Sequence, residues 1–559
     1  MKMLKEKRIL LMVLSGLVFI FSIGFSSDEP PVINRTDVIS AEKLINLFFT
    51  DNKRDSLLQD LKENRDSYIK MREVAVTNDV PPAIMFNPLP VGFRSSGETS
   101  SMHLSPPEET LLPRNPEKLC FYSVRDLAEL IRTRKITSLE LTRLFLNRLK
   151  KYDPQLHGVI SLTEDLALRE AEAADREIAA GKYRGPLHGI PYGAKDLLAV
   201  KGYRTTWGAM PYKDQVIDLD ATVIKKLRAA GAVLVAKTTL GALAWGDVWY
   251  GEKTRNPWNP DQGSSGSSAG SASATAAGLL PFAIGTETWG SIVSPSTRCG
   301  TTGLRPTYGR VSRTGAMALS WSMDKIGTIA RSAEDCAIVF NAIYGPDGMD
   351  QTLYDFPFNY DPNLDLRKLR VGYLKSAFEA KSDAEDFDKT SLDVIQQMGI
   401  NLIPIELPEL PIQALAIILN AEAAAAFDDL TRSGRDDMMV RQVRAAWPNV
   451  FRASRFIPAV EYIQANRIRY MLIREMEKVM EGIDLYIAPS FAEDNLLLTN
   501  LTGHPCVVLP NGFDEKGNPT SISFIGDLFE EGKLLVFANA YQRATSFHKQ
   551  RPPLFKVGD

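Results

Sequence analysis

The feature that most constrains the fold of this chain is a run of sixteen small residues, 263–278, in which every position is Gly, Ser, Ala or Thr. Such a composition is typical of a flexible linker. The run nevertheless leads directly into the apolar segment 279–284, and its second half, Ala269 to Ala277, is rich in helix-forming residues. Because linkers do not run straight into a core segment, we predict a closely packed helix followed by a buried strand.

Two other segments place reactive side chains beside apolar strands. Residues 189–194 form a strand-like run, and Lys195 follows it directly. The small-residue loop 285–292 follows the strand predicted above and carries Ser291. A serine in such a turn is most often a helix cap. Ser267 lies 24 residues upstream in its own glycine-flanked turn, however, which favours a serine nucleophile assisted by further polar groups.

Helical and strand-like segments alternate through the middle of the chain. Ser123 with Asp126 begins one predicted helix, and Thr137 with Glu140 forms a capping box at the start of the next. Beyond them, the alternating segments are 189–194, 221–230, 232–236 and 279–284. This alternation predicts an α/β domain with a largely covered sheet.

These segments, in this order, resemble the amidase signature family. The motifs that carry the resemblance are Gly189 to Asp196, Gly266 to Ser271, Gly285 to Ile292 and Cys299 to Ser312. Similarity continues in four segments outside them: Asp220 to Ala232, Asn256 to Trp258, Thr499 to Pro505, and Pro519 to Ile522. The resemblance covers roughly Cys120 to Leu554, and the combination of motifs is highly specific.

The resemblance implies a mixed, mostly parallel sheet surrounded by helices, and an amidase that cleaves a carboxamide C–N bond. By match to the motifs, Ser291 attacks the carbonyl and forms an acyl-enzyme, Ser267 relays its proton, and Lys195 is the base. The family pattern also implies an oxyanion hole made of backbone N–H groups, those of Thr288, Trp289, Gly290 and Ser291. The implied substrate is a small-molecule or peptide amide, and no cofactor is needed.

A lysine can accept a proton near neutral pH only if its amine is uncharged. Because the ordinary pKa of lysine is about 10.4, burial has to lower the pKa of Lys195 considerably. The next residue, Asp196, would oppose this if its carboxylate faced the amine. We therefore predict that Asp196 points away from Lys195.

Three positions depart from the commonest family pattern. Trp289 and Ser265 stand where glycines are usual, and Val293 stands where many members have arginine. Trp289 can still donate its backbone N–H if its dihedral angles do not require glycine. We hypothesise that its indole narrows the pocket for the acyl group.

Three more polar residues invite a catalytic interpretation but have a simpler one. Glu287 is a carboxylate in a turn, and we expect it to bond to nearby backbone N–H groups. His504 and Cys506 suggest a cysteine–histidine pair, but the surrounding Thr-Gly-His-Pro sequence matches a late core loop of the family. We predict structural roles for both.

The N-terminus predicts export. Lys2, Lys5, Lys7 and Arg8 precede an uncharged apolar run that ends at Phe25, which is the layout of a secretory signal peptide. We predict that residues 1–27 direct the protein to the periplasm or the medium. A leader that stays uncleaved would instead attach it to the membrane.

The remainder is expected to form two parts. Residues 28–117 form a helical extension followed by a proline-rich linker, and residues 118–559 form the amidase domain. The extension has no family match, and it is a candidate for association, including homo-oligomer formation, or for attachment to the envelope.

Composition excludes some partners. With 65 basic and 68 acidic residues the net charge is −3, so a nucleic acid is not an expected electrostatic partner. The four cysteines and five histidines are too widely spaced to indicate a metal site.

Three alternative functions remain open. The first is the glutamine-hydrolysing subunit of a tRNA-dependent amidotransferase, against which the leader argues, as does the absence of a carboxylate-binding arginine at Val293. The second is a membrane-associated fatty-acid amide hydrolase, favoured only by the apolar N-terminus. The third is a non-catalytic binding protein on the same fold.

Overall fold

The computed structural model describes residues 31–94 and 100–558, so the predicted leader, 1–27, lies outside the described residues. The chain divides into two compact units, 1–76 and 77–559. In the described part of the first unit, Arg35–Ile45 (α1) and Asp51–Met71 (α2) form helices, as the sequence predicts for this region. A buried carboxylate, Glu42, pairs with Arg54 at 2.7 Å and joins them.

The second unit contains a sheet of eleven strands with helices on its faces. Its strands are β1 Val159–Leu162, β2 Pro191–Lys195, β3 Val233–Thr238, β6 Phe282–Glu287, β7 Thr302–Arg305, β8 Lys325–Ala330, β9 Val371–Leu374, β10 Leu402–Ile405, β11 Leu485–Pro489, β12 Cys506–Phe513 and β13 Pro519–Gly526. A separate pair consists of β4 Arg255–Asn256 and β5 Asn259–Gly263. The order across the large sheet is β1-β3-β2-β6-β8-β7-β12-β13-β11-β9-β10.

The expected mixed sheet flanked by helices is confirmed. Within the described residues, four neighbouring pairs are parallel and six are antiparallel, and the antiparallel pairs include all five between β6 and β11. The pairs β3-β2 and β2-β6 are parallel, so the carboxyl ends of these three strands reach one edge of the sheet. This edge holds Lys195 and Glu287.

Helices cover the sheet and complete the core. The α-helices are α3 Val124–Arg132, α4 Ser138–Leu156, α5 Glu164–Ala179, α6 Thr222–Ala229, α7 Ala269–Ala276, α8 Val293–Cys299, α9 Ala333–Ile343, α10 Lys375–Glu379, α11 Glu385–Gln397, α12 Ile417–Ala426, α13 Asp428–Arg432, α14 Trp447–Ser454, α15 Ala459–Met480, α16 Asn495–Thr502 and α17 Glu531–Thr545. Short 3₁₀ helices occur at Pro116–Phe121, Met210–Tyr212, Ala242–Ala244, Leu366–Lys368, Ile412–Ala416, Arg435–Met438, Phe547–Lys549 and Pro553–Phe555. None of the helices that the structure describes combines the length and apolar character needed to cross a membrane.

The small-residue run is core and not linker. All eight residues of α7 are buried, and the strand β6 that follows is buried at every position. Small side chains are required here because a Cβ on Gly270 would lie 2.0 Å from the Gly158 carbonyl oxygen. The close approach of backbones that the composition predicts is therefore present.

The second compact unit begins at Thr77 and includes the proline-rich segment as well as residues 118–559. Although most of the segment lacks regular secondary structure, it contacts the domain through side chains. Asn78 donates to the Ala318 carbonyl at 2.9 Å and accepts from the Ala318 N–H at 2.8 Å. The ring of Phe86 lies 3.5 Å from the guanidinium carbon of Arg469. An extended segment can thus be part of a domain when its polar and aromatic side chains have partners there.

Candidate active site

The sheet topology brings the predicted base and the predicted nucleophile's turn together. Lys195 is the last residue of β2, and Glu287 is the last residue of the neighbouring parallel strand β6. Ser291 follows four residues after β6, and Ser267 lies two residues before helix α7. In α/β sheets the carboxyl ends of parallel strands are the usual place for a site.

Lys195 and Ser267 are in direct contact. The Lys195 Nζ atom lies 2.8 Å from Ser267 Oγ, and it also lies 3.1 Å from Ser268 Oγ. Thr286 supplies two more partners, its Oγ1 at 2.8 Å and its carbonyl oxygen at 3.3 Å. Every partner is a neutral oxygen, so no carboxylate directly stabilises an ammonium form.

Burial favours the uncharged form of the Lys195 amine. Lys195 is fully buried, and burial lowers its pKa well below the ordinary value, although Asp324 and Glu287 act in the opposite direction. A neutral amine has one lone pair and two N–H groups. The lone pair can take a proton from Ser267, while the N–H groups donate to Thr286.

The turn carrying Ser291 presents free backbone donors. Within the described residues, none of the N–H groups of Thr288, Trp289, Gly290 or Ser291 donates a hydrogen bond to the protein. Ser291 is nearly buried, its Oγ has no hydrogen bond there either, and its carbonyl accepts from the Ser268 N–H at 3.0 Å. That last bond joins the two serine-bearing turns. Four adjacent free donors are what an oxyanion hole needs.

Glu287 holds this turn in place. Its Oε2 accepts the N–H groups of Ile292 at 2.8 Å and Val293 at 3.0 Å, as expected for a carboxylate that bonds to nearby backbone. Its Oε1 accepts from Arg305 at 2.8 Å and from Asn500 at 2.9 Å. Burial alone would raise the pKa of Glu287, but Arg305 and these hydrogen bonds outweigh it and lower the pKa to about 2. The carboxylate is therefore ionised and structural.

Asp196 points away from the lysine amine, as predicted. Its Oδ1 forms an ion pair with Lys237 at 2.7 Å, and its Oδ2 accepts the Thr206 N–H at 2.8 Å and the Thr206 hydroxyl at 2.6 Å. Asp196 and Lys237 are both fully buried.

The departures from the family pattern are accommodated. Ser265 has a φ of +61°, so a serine occupies a left-handed conformation that glycine adopts more readily. In the turn that carries Ser291 the left-handed position is Gly290, with a φ of +83°, and not Trp289. The tryptophan thus leaves the backbone of the turn undisturbed.

His504 and Cys506 are structural in their surroundings. His504 is buried, its Nδ1 lies 2.8 Å from the Thr502 hydroxyl, and burial lowers its pKa to about 3. Burial raises the pKa of the Cys506 thiol to about 11. A neutral imidazole and an un-ionised thiol cannot form a reactive pair at neutral pH.

The sequence assigned no individual role to Lys237, Arg305 or Asn500. In the structure Lys237 pairs with Asp196, and Arg305 and Asn500 both donate to Glu287. Lys237 could have been found, since it is a charged residue that directly follows the apolar residues Val233 to Ala236 of strand β3. Asn500 contacts Glu287 across 213 positions of sequence, and no local pattern indicates that contact.

The arrangement defines a class of protein, a hydrolase that combines serine hydroxyls with a neutral amine and free backbone donors. The Amidase family model matches residues 140–535, and the chain belongs to that family. It is thus an amidase, an enzyme that hydrolyses amide C–N bonds.

Known proteins resemble this chain over most of its length. A glutamyl-tRNA(Gln) amidotransferase subunit from Acinetobacter baumannii is 34% identical over 479 residues, which span 77% of this chain and 97% of the relative. Its counterpart from Pseudomonas syringae pv. tomato is 35% identical, over 78% of this chain and 99% of the relative. The solved peptide amidase of Stenotrophomonas maltophilia has a TM-score of 0.70 and 30% identity, over 78% of this chain and 99% of that one.

Proposed function

We propose that this amidase works through an acyl-enzyme on Ser291, with Ser267 as the proton relay and Lys195 as the base. The observation that carries the proposal is the buried Lys195 amine at 2.8 Å from Ser267, beside a turn of free N–H groups. In the first step the Ser291 hydroxyl turns toward Ser267 and its oxygen bonds to the amide carbon. Its proton passes to Ser267, whose own proton passes to Lys195.

The remaining steps return the proton. The N–H groups of residues 288–291 stabilise the tetrahedral oxyanion. When the C–N bond breaks, the leaving nitrogen takes the proton back through Ser267 and departs as ammonia or an amine. Water then attacks the acyl-enzyme by the same relay, giving the carboxylate and restoring the Ser291 hydroxyl.

The test measures ammonia or amine release from a panel of amides. Ser291→Ala and Lys195→Ala should each reduce kcat by at least about 10³-fold. Matched controls are Ser273→Ala, a buried helix serine bonded to the Arg255 carbonyl, and Lys226→Ala, a half-buried lysine bonded to the Tyr344 carbonyl. A fluorophosphonate should label Ser291 in the wild type. A Ser291→Ala enzyme of full activity would refute the proposal.

The finer proposal is that the enzyme acts alone and outside the cytoplasm, on small-molecule or peptide amides. The layout of residues 1–27 supports export, and the similarity to the peptide amidase supports the substrate class. Cell fractionation with N-terminal sequencing tests it: a mature protein that begins near residue 28 supports export. A full-length protein in the membrane fraction indicates an uncleaved anchor, and a full-length protein in the cytoplasm contradicts export.

A second candidate function is the hydrolysis of glutamine as part of an amidotransferase, and two observations favour it. The amidotransferase relatives match nearly their entire length to this chain. In addition, Arg441 supplies a cation near the site, which the uncharged side chain of Val293 cannot supply. Within the described residues Arg441 has no hydrogen bond or ion pair, and it lines a cleft with Trp245, Met439 and Trp447.

Gly246 lies between Arg441 and Gly266, the residue that precedes Ser267. A Cβ on Gly266 would lie 1.9 Å from the Gly246 carbonyl oxygen, and a Cβ on Gly246 would lie 3.5 Å from Arg441 Nη1. A free guanidinium here suits a substrate carboxylate. Arg441→Leu should then raise the KM for glutamine about tenfold or more and leave the KM for a peptide amide without a carboxylate unchanged. Equal effects on both substrates would argue against this candidate.

A further inference from the structure

The Lys195 amine and the Asp196 carboxylate lie on opposite sides of one strand end. Side chains alternate in direction along a strand. The Lys195 amine accordingly lies among Ser267, Ser268 and Thr286, whereas the Asp196 carboxylate lies with Thr206 and Lys237. The two groups still belong to consecutive buried residues.

The buried carboxylate of Asp196 is neutralised by one group. Lys237 lies on β3, where it is the register partner of Ala194, and its amine is 2.7 Å from Asp196 Oδ1. That amine also donates to the Arg204 carbonyl at 3.0 Å and the Thr205 hydroxyl at 3.1 Å. Whether the shared proton sits on nitrogen or oxygen, the pair has no net charge.

The other charges around Lys195 are balanced in the same way or bonded to neutral groups. Glu287 is paired with Arg305, and Asp324 accepts from the Thr288 hydroxyl and from the Leu319 and Ser320 N–H groups. Lys325 is a further buried amine close to both carboxylates. On the other side, Tyr250 lies near Asp196, and Arg204 and Asp214, which lie 3.9 Å apart, are the charged groups near Tyr250.

We propose that Lys237 is a positioning residue of amide hydrolysis. By pairing with Asp196 it removes the net negative charge next to the strand end and so keeps the Lys195 amine uncharged and able to accept the relay proton. This inference rests on the proposed function, since it assigns Lys195 as the base. Lys237 itself contacts no reacting atom.

The expected size of the effect can be stated. A unit charge about 10 Å away at an effective dielectric constant of about 20 shifts a pKa by roughly one unit. Lys237→Met keeps an unbranched side chain but leaves Asp196 unpaired. The Lys195 ammonium would gain stability, so deprotonation would require a pH about one unit higher.

The experiment follows the pH dependence of fluorophosphonate labelling, which needs no knowledge of the natural substrate. In the Lys237→Met enzyme the acid limb of the labelling rate should move up by about one pH unit. In Lys237→Met/Asp196→Asn both charges are gone, and the limb should return to within about 0.3 unit of the wild type. Lys226→Met, which alters a lysine outside the site, should leave the limb in place.

Several results would overturn the proposal. The first is an acid limb that stays in place in Lys237→Met, and the second is a shift of that limb that persists in the double variant. The third is a labelling rate that falls equally at every pH. If Lys237→Met does not fold, Lys237→Gln replaces it, because a neutral amide keeps a hydrogen-bond donor beside Asp196 but removes the compensating charge, and an unmoved limb again refutes the idea. A wild type that never labels refutes the Ser291 nucleophile itself, which separates the two failures.

Discussion

At the scale of single residues, this site depends on which buried groups are charged. Burial lowers the pKa of Lys195 well below its ordinary value, whereas Glu287 is kept ionised by Arg305 and by hydrogen bonds from Asn500 and from two backbone N–H groups. Both residues end neighbouring strands, yet their surroundings give them opposite tasks. In the proposed mechanism Lys195 exchanges protons, whereas Glu287 fixes the turn that holds Ser291.

The neutral lysine predicts a pH-dependent stability difference. The folded pKa of Lys195 is lowered, so the unfolded chain binds a proton that the folded chain does not, and stability is lost as pH falls below about 10. Lys195→Met removes this proton. The unfolding free energy of the variant relative to wild type should therefore rise by about 1.4 kcal/mol per unit from pH 10 downward, until the folded pKa is reached.

Urea unfolding at several pH values measures this difference. Ser273→Ala, which carries no titratable group at the changed position, should give a curve parallel to that of the wild type. A constant gap between Lys195→Met and wild type from pH 10 to pH 7 would show that the lysine is protonated in the folded enzyme.

The ion pair between Arg305 and Glu287 predicts a large loss of stability when it is broken. Arg305→Met leaves Glu287 as a buried charge without its guanidinium, which should destabilise the protein by about 3–5 kcal/mol. Arg305→Met/Glu287→Gln should recover part of this loss because no charge remains. Urea unfolding at pH 7 measures both, and a loss below about 1 kcal/mol for the single variant would contradict the pairing.

Sequence was informative for residues whose role is set by their neighbours in the chain. The bonds of Glu287 to Ile292 and Val293 span five and six positions, and a turn carboxylate predicts them. The direction of the Asp196 side chain, away from the Lys195 amine, follows from the alternation of side chains along a strand. Its partner Lys237 could not be assigned, because the pairing depends on the register between β2 and β3.

At the scale of elements, local sequence signals predicted where a helix starts better than they predicted which strands pair and in which direction. Helix α4 begins where the capping box predicts: Thr137 Oγ1 accepts the Glu140 N–H at 3.1 Å, and Glu140 accepts the Thr137 N–H at 2.9 Å. The strand directions at the centre of the sheet follow from long connections that carry no such signal. The antiparallel centre from β6 to β11 was therefore not predictable.

The capping box gives a prediction at this scale. Thr137→Ala removes the bond to the Glu140 N–H and should lower the unfolding free energy by about 1 kcal/mol. Thr137→Ser retains a hydroxyl and should cost much less. Thermal unfolding distinguishes them, and equal losses for the two variants would indicate that the methyl group and not the cap matters.

At the scale of the whole molecule, the proline-rich segment behaves as part of the amidase unit. Its composition suggests an extended connection, and it does remain mostly extended, but Asn78 and Phe86 have partners far away in sequence. Sequence indicates the absence of regular structure here. It does not indicate what the side chains contact.

Two truncations test this assignment. A chain that starts at residue 77 should unfold at a higher temperature than one that starts at residue 118, because only the first keeps these contacts. Within the longer chain, Phe86→Ala should cost about 2–3 kcal/mol by removing the ring from Arg469 and Tyr308. Equal melting temperatures for the two truncations would place the segment outside the domain.

The side chain of Trp289 has an optical consequence. It is 38% exposed in the turn that carries Ser291, so its indole is in contact with water beside Ser291. An acyl or phosphonyl group on Ser291 should displace some of that water and shift the fluorescence emission to shorter wavelength, a change that Trp289→Phe should abolish. Trp289 fluorescence would then report acylation of Ser291, so the rate of a single turnover could be measured without any knowledge of the amide that the enzyme cleaves in the cell.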